Sequence, residues 1–151
     1  MNGRLAVKAV IVRENTLLCV KLKDYADVIA GDYWCLPGGT LEAGETLTAG
    51  LHHEMMEETN IPPQIGSLLY ISHYHANQRE HLEFFFHVSN AEDYTNIDLS
   101  NASHAAEEIA ALDFVNPKIT HILPKFLTTE PLAEQISQSL PTKVFSDLTN
   151  H

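Results

Sequence analysis

Cysteine is scarce in this chain. The two present, Cys19 and Cys35 among 151 residues, stand too far apart for a CxxC metal knuckle and are too few for a secreted disulfide scaffold. They are expected as reduced thiols, at least partly buried. Positive charge is also short, with 9 Lys and Arg against 20 Asp and Glu and a formal net charge of -11. That balance argues against binding duplex nucleic acid, whose affinity rests on Lys and Arg neutralising phosphates. No apolar run approaches the ~20 residues that span a bilayer. Arg4 and Lys8 interrupt the apolar N-terminal stretch, which lacks a signal-peptide layout. The expectation is a soluble cytoplasmic protein with no membrane partner. Gly and Pro number 7 each, too few for a fibrous or disordered chain, and no repeat or low-complexity tract is present. What remains is a globular composition, 44% hydrophobic and 19% charged, at a length that suits about one domain. Acidity on this scale serves solubility or holds divalent cations, and only local spacing separates the two.

Residues 5–12 and 16–22 are rich in β-branched types, and Arg13-Glu14-Asn15 between them suits a tight turn, which predicts a β-hairpin. A polar loop over 23–32 precedes a short strand, Tyr33-Trp34-Cys35-Leu36, stopped by Pro37-Gly38-Gly39. The next segment reads as a helix from Glu45 or Thr46 to Thr59. Leu47, Leu51 and Met55 recur every four residues, and Asn60 followed by Pro62-Pro63 ends the pattern. Residues 67–74 and 80–88 form a second predicted hairpin, 89–104 a long acidic loop, and 109–115 a last strand. Beyond Asn116-Pro117, the prolines at 124, 131 and 141 divide the tail into one or two short helices over 119–140, with frayed residues after them. One domain over 1–140 and a C-terminal tail over 141–151 are expected.

Glu54-Met55-Met56-Glu57-Glu58 is the most informative stretch. At 3.6 residues per turn, positions 54, 57 and 58 fall within an arc of roughly 100°, so their carboxylates share one helix face. Like charges at i, i+3 and i+4 repel by a few tenths of a kcal/mol per pair. No Lys or Arg relieves them between Leu47 and Thr59. A divalent cation such as Mg²⁺ or Mn²⁺ would, because hard oxygen ligands are what it requires. On this helix alone, a solvated acidic face stays open beside a cation site.

The residues before the helix extend the pattern. Gly38-Gly39 permits close backbone approach, and Glu45 follows six residues after Gly39. From Gly39 to Ile61 the chain resembles the Nudix hydrolases, whose signature runs Gly, five residues, Glu, seven residues, Arg-Glu, an aliphatic residue, any residue, Glu-Glu, any residue, Gly and an aliphatic residue. Here it reads Gly39, Glu45, His53-Glu54, Met55, Met56, Glu57-Glu58, Thr59, Asn60 and Ile61, with the upstream Trp34-Cys35-Leu36-Pro37-Gly38-Gly39 similar to the family's approach to that motif. Asn60 stands for the final Gly, a mild change because Asn tolerates the left-handed region. His53 stands for the Arg that orients a neighbouring glutamate in the family. An imidazole is shorter, carries fewer donors and is largely neutral near pH 7, so lower or differently tuned activity is implied.

The resemblance implies an α/β fold, an α/β/α sandwich in which a mixed, partly antiparallel sheet lies between helices. It also implies cleavage of a diphosphate linkage in a nucleoside diphosphate joined to another group, by attack of water activated by Mg²⁺ or Mn²⁺. Nucleoside triphosphates, nucleotide sugars and ADP-ribose-like compounds all remain candidate substrates. By carry-over, Glu57 and Glu58 are metal ligands, Glu54 a ligand or general base, Glu45 a supporting group, and Gly39 offers its backbone to the metal shell. The family often adds a carboxylate from the loop before the last strand, where Glu107 and Glu108 stand, and Glu108 is preferred. Tyr33, Trp34, Tyr74 and Phe84 could stack a base or sugar, although strand aromatics are more often core. Self-association into a homodimer stays open.

Competing readings are weaker. The P-loop-like spacing from Gly39 to Thr46 puts Glu45 where a phosphate-binding Lys belongs. His73-Tyr74-His75 with Glu80 lacks the glycine-rich partner of a cupin metal motif. Glu57 occupies the place of the second His of a zinc-protease helix that would begin at His53. The alternative from another class is a nucleotide-binding sensor that does not turn its ligand over, supported only by His53.

Overall fold

Apolar residues buried on both faces make the inner parts of the central strands, and these carry the architecture. The computed structural model describes residues 3–23, 31–98 and 108–146. Strand β1 (Gly3–Val10) buries Val7 and Ala9 on one side and Ala6 and Val10 on the other, the pattern of a strand covered on both faces. Strand β2 (Val12–Arg13) and β3 (Thr16–Leu22) follow, then β4 (Gly38–Thr40), helix α1 (Leu47–Thr59), β5 (Ile65–Ala76), β6 (Arg79–Val88), β7 (Ile109–Val115), helix α2 (Leu132–Ser137) and β8 (Lys143–Phe145). Five strands form a mixed sheet in the order β4-β1-β6-β5-β8, with β1 parallel to β6 and β5 parallel to β8. The other three form an antiparallel sheet, β2-β3-β7. The mixed α/β class expected from the sequence is therefore present.

Three local expectations are corrected. The first strand does not pair with β3 as a hairpin. Buried on both faces, β1 takes β6 and β4 as neighbours, and only Val12–Arg13 folds back on β3 across Glu14, which sits at φ 55°. Residues 33–36 make isolated bridges, Trp34 to Ile122 and Cys35 to Val20, and the strand forms one step later at Gly38–Thr40. There the backbone runs so close to β1 that a Cβ on Gly38, at φ 140°, would strike the Val7 carbonyl oxygen. Finally, the tail is ordered through β8. Phe145 stacks on Phe126 with ring centroids 4.3 Å apart, and the Thr142 hydroxyl donates to the Leu68 carbonyl at 2.7 Å. The second hairpin is present and longer than expected, turning at Asn77 and Gln78, both at positive φ.

Helix α1 lies on one face of the large sheet, where Leu51 and Met55 pack with Val7, Ala9, Phe86 and Val88. The opposite face packs Val10, Leu36, Tyr70 and Phe85 against Phe126, Leu127 and Leu132 of the C-terminal segment. The smaller sheet contributes to both clusters, Leu18 to one and Leu17 to the other. Sequence signals fix both ends of α1. The Thr46 side chain accepts from the Ala49 N–H at 3.2 Å, a cap of the kind that contributes ~1 kcal/mol, and Asn60 closes the helix in the left-handed conformation at φ 60°. Fixing the helix ends fixes which way the face with Glu54, Glu57 and Glu58 points.

Candidate active site

The turn before α1 is tied down by its own carboxylate. Glu45 accepts from the Glu42 N–H at 2.9 Å through Oε1, and its Oε2 lies 3.4 Å from His53 Nδ1. On the other side of the ring, His53 Nε2 lies 2.8 Å from Glu57 Oε1. The imidazole thus bridges Glu45 and Glu57, and only its protonated form donates to both. The Glu57 charge raises the His53 pKa above its ordinary value, burial opposes it, and Glu42, Glu45 and Glu54 add smaller contributions to the rise. The short side chain at position 53 reaches the glutamate despite lacking a guanidinium.

Glu58 points inward. Its Oε1 accepts from the Gly38 N–H at 3.3 Å, while Oε2 is buried with no hydrogen-bond partner among the described residues. Burial pushes its pKa up to about 8, with Glu54 and Glu108 adding to the rise and Lys8 and the Gly38 N–H opposing it. Glu54 leans on Gly39: a Cβ there would lie 2.5 Å from its Oε2. Burial first, then Glu57, raises the Glu54 pKa as well. Glu108 is exposed at the start of β7, and its charge reaches both Glu54 and Glu58. Glu107 lies outside the described residues.

The structure therefore sets Glu54 against Gly39 and Glu58 against Gly38 and links Glu45 to Glu57 through His53, with Glu108 within electrostatic range, while Asn60 stands at the far end of α1. A buried, unpartnered carboxylate oxygen beside further carboxylates is a donor set of hard oxygens, which fits Mg²⁺ or Mn²⁺. Among the described residues, Glu42, Glu45 and His53 also bring ligand atoms within 4.8 Å of one another. In that trio the imidazole already answers the Glu45 carboxylate, which leaves less for an ion to satisfy.

A cavity of about 270 Å³ lies on the sheet face opposite α1, and its wall includes Lys8, which is paired with Gly38. Tyr33 and Tyr74 line it, as do Lys8, Arg4 and Glu83. The two other aromatics singled out from sequence lie elsewhere. Trp34 packs on the core cluster around Val10 and Leu36, and Phe84 packs with the cluster beneath α1. Arg4, Lys8 and Glu83 were not legible as site residues. The signal was there as single charges in apolar strands, Glu83 within Leu82-Glu83-Phe84-Phe85-Phe86 being the plainest.

The family model described as NUDIX domain matches residues 3–132. An ADP-ribose pyrophosphatase of Methanocaldococcus jannaschii is 37% identical over 69 residues, which are 46% of this chain and 39% of that enzyme. The match thus spans about two fifths of that relative's length. Among solved structures, a UDP-X diphosphatase superposes with a TM-score of 0.71 at 20% identity, covering 95% of this chain and 68% of that one. A MutT protein from Methanosarcina mazei Go1 gives 0.67 at 21%, covering 85% and 89%. An ADP-ribose pyrophosphatase from Streptococcus suis gives 0.62 at 15%, covering 94% and 98%. At these identities the structural likeness is one of fold.

Proposed function

The chain belongs to the Nudix family, and from that premise we propose that it is a divalent-metal-dependent pyrophosphohydrolase acting on a nucleoside diphosphate joined to another group. The observation that carries the reading is the buried Glu58 Oε2 without a partner, set beside Glu54 and Glu57 against the Gly38-Gly39 backbone. A carboxylate so placed is costly unless a cation answers it. Glu57, Glu58 and Glu54 would hold the ion, with Glu108 completing the shell, and the Gly39 backbone lies close enough to join them. Mg²⁺ or Mn²⁺, when bound, supplies neutralisation of the diphosphate charge and a more acidic water.

The chain's own residues supply the rest. His53 holds Glu57 at 2.8 Å and Glu45 at 3.4 Å, which fixes the ligand carboxylate against rotation. Glu54, with its raised pKa, is suited to take the proton of the attacking water. Lys8 contributes a positive charge at the cavity side of the carboxylates, where an anionic substrate must pass. The contact between His53 and Glu57 supports turnover over a sensor that binds without cleaving.

The test is a panel of nucleoside triphosphates, nucleotide sugars, dinucleotides and ADP-ribose, incubated with Mg²⁺, Mn²⁺ or EDTA and resolved by chromatography. ADP-ribose and UDP-linked compounds belong in it because proteins similar to this chain carry those names. Metal-dependent release of a phosphate-bearing product from one class supports the proposal. Thermal stabilisation by these compounds with no product would favour the sensor.

A further inference from the structure

The cavity beside the carboxylates has two unlike ends. At one, Lys8 in the wall is paired with Gly38, whose N–H donates to Glu58 Oε1, so this end of the cavity adjoins the carboxylate face. At the other lies a partly buried ion pair. Strands β1 and β6 run parallel with Ala6 opposite Glu83 and Lys8 opposite Phe85, which puts Arg4, Lys8, Glu83 and Phe85 on one sheet face. The Glu83 side chain is only 8% exposed, and a buried carboxylate is costly unless well satisfied. Here it is half satisfied. Arg4 Nη1 and the Tyr74 hydroxyl both donate to Oε2, each at 3.4 Å, long for bonds to a charged group. Oε1 has no hydrogen-bond partner among the described residues, and Arg4 has its Nε on Thr40 Oγ1 at 3.0 Å with none on Nη2. An acceptor and a donor thus stand side by side with capacity left over. Tyr33 and Tyr74 line the same space, one face of the Tyr74 ring being stacked on His81.

We infer that Glu83 and Arg4 read the hydrogen-bonding edge of the substrate's base in this cavity, and that the base they prefer is guanine. The inference rests on the reading above, that the substrate is a nucleoside diphosphate derivative. At about 270 Å³ the cavity lies just below the ~300–1,000 Å³ of sites that take a whole ligand, so it suits one aromatic-walled heterocycle. Guanine offers two adjacent N–H groups to the carboxylate and its O6 to Arg4. Adenine and cytosine bring one amino group to the carboxylate and a ring nitrogen to Arg4. Uracil brings a single N–H flanked by two carbonyls, one of which must lie against Glu83. The order of preference is guanine first, adenine and cytosine next, uracil last.

Nucleoside monophosphates test this apart from the hydrolysis, since they carry no diphosphate to cleave. The full chain in EDTA would be titrated with GMP, IMP, AMP, CMP and UMP and followed by NMR. GMP is expected to bind at least about tenfold more tightly than IMP, which lacks only the 2-amino group. UMP is expected to bind most weakly, and the tyrosine ring signals should move. In Glu83→Gln the GMP affinity is expected to fall to the IMP level. Equal affinities for all five, a preference for UMP, or no binding at millimolar concentration would overturn the inference while leaving metal-dependent hydrolysis standing. Should Glu83→Gln fail to fold, the GMP to IMP ratio of the unaltered chain decides alone.

Discussion

Replacing Glu58 by Gln removes a carboxyl whose proton is held in the fold and released from the unfolded chain. In the metal-free protein the Glu58 pKa is pushed up from 4.5 to about 8, chiefly by burial. Below about pH 4.5 the group is protonated in both states and costs the fold nothing. Between 4.5 and 8 only the unfolded state gives up its proton, so stability is lost as pH rises across that window. At pH 7 the loss is roughly 2.5 pH units at about 1.4 kcal/mol each, or about 3 kcal/mol. A neutral amide of the same shape does not incur it. Urea unfolding in EDTA, followed by Trp34 fluorescence at several pH values, should therefore find Glu58→Gln more stable than the native chain by a few kcal/mol at pH 7. The difference should shrink towards zero near pH 4.5, and saturating Mg²⁺ should restore stability to the native chain far more than to the variant. A variant less stable than the native chain at pH 7 in EDTA, or a difference independent of pH, would show that Glu58 is not held protonated by burial in the fold.

The neighbouring residues give further expectations. The raised His53 pKa means that its stabilisation is complete below about 6.5 and is lost as pH rises through the folded value. His53→Arg should hold Glu45 and Glu57 at all pH values, so a kcat profile should lose any decline of the native enzyme above neutral pH. Gly39→Ala would put a Cβ 2.5 Å from Glu54 Oε2, a flexible side-chain end, so kcat should fall by about 10–100-fold while the melting temperature moves little. Asn60→Gly, at a left-handed position far along α1 from Glu54, should leave kcat unchanged and shift stability by no more than ~1 kcal/mol in thermal unfolding.

Legibility from sequence followed the range of the interactions involved. Helix α1 was readable almost to the residue because Thr46, Asn60 and the Leu47, Leu51, Met55 repeat act within a turn or two of themselves. The Glu54, Glu57, Glu58 face came with it, since helical geometry alone puts them together. Strand pairing was less readable. Residues 5–12 look like a hairpin partner for 16–22 because they are close in sequence, yet a strand apolar on both faces needs a central place, and β6 provides it some 75 residues away. The ordering of Lys143–Phe145 depends on Phe145 meeting Phe126, a contact that no local pattern announces. Arg4 and Glu83, 79 positions apart, meet only because β1 lies beside β6. Their sequence signal was a charge inside each apolar strand, which marks an exception without naming its partner.

Glu57 is the carboxylate at the centre of the proposed ion site and the one that His53 holds. The measurement is the turnover of whichever diphosphate substrate the chain cleaves, at saturating Mg²⁺, in the native chain and in Glu57→Gln. A fall of about 10²–10³-fold in kcat with the fold intact, together with complete loss in EDTA, is the predicted result. Undiminished turnover in either the variant or EDTA would contradict it.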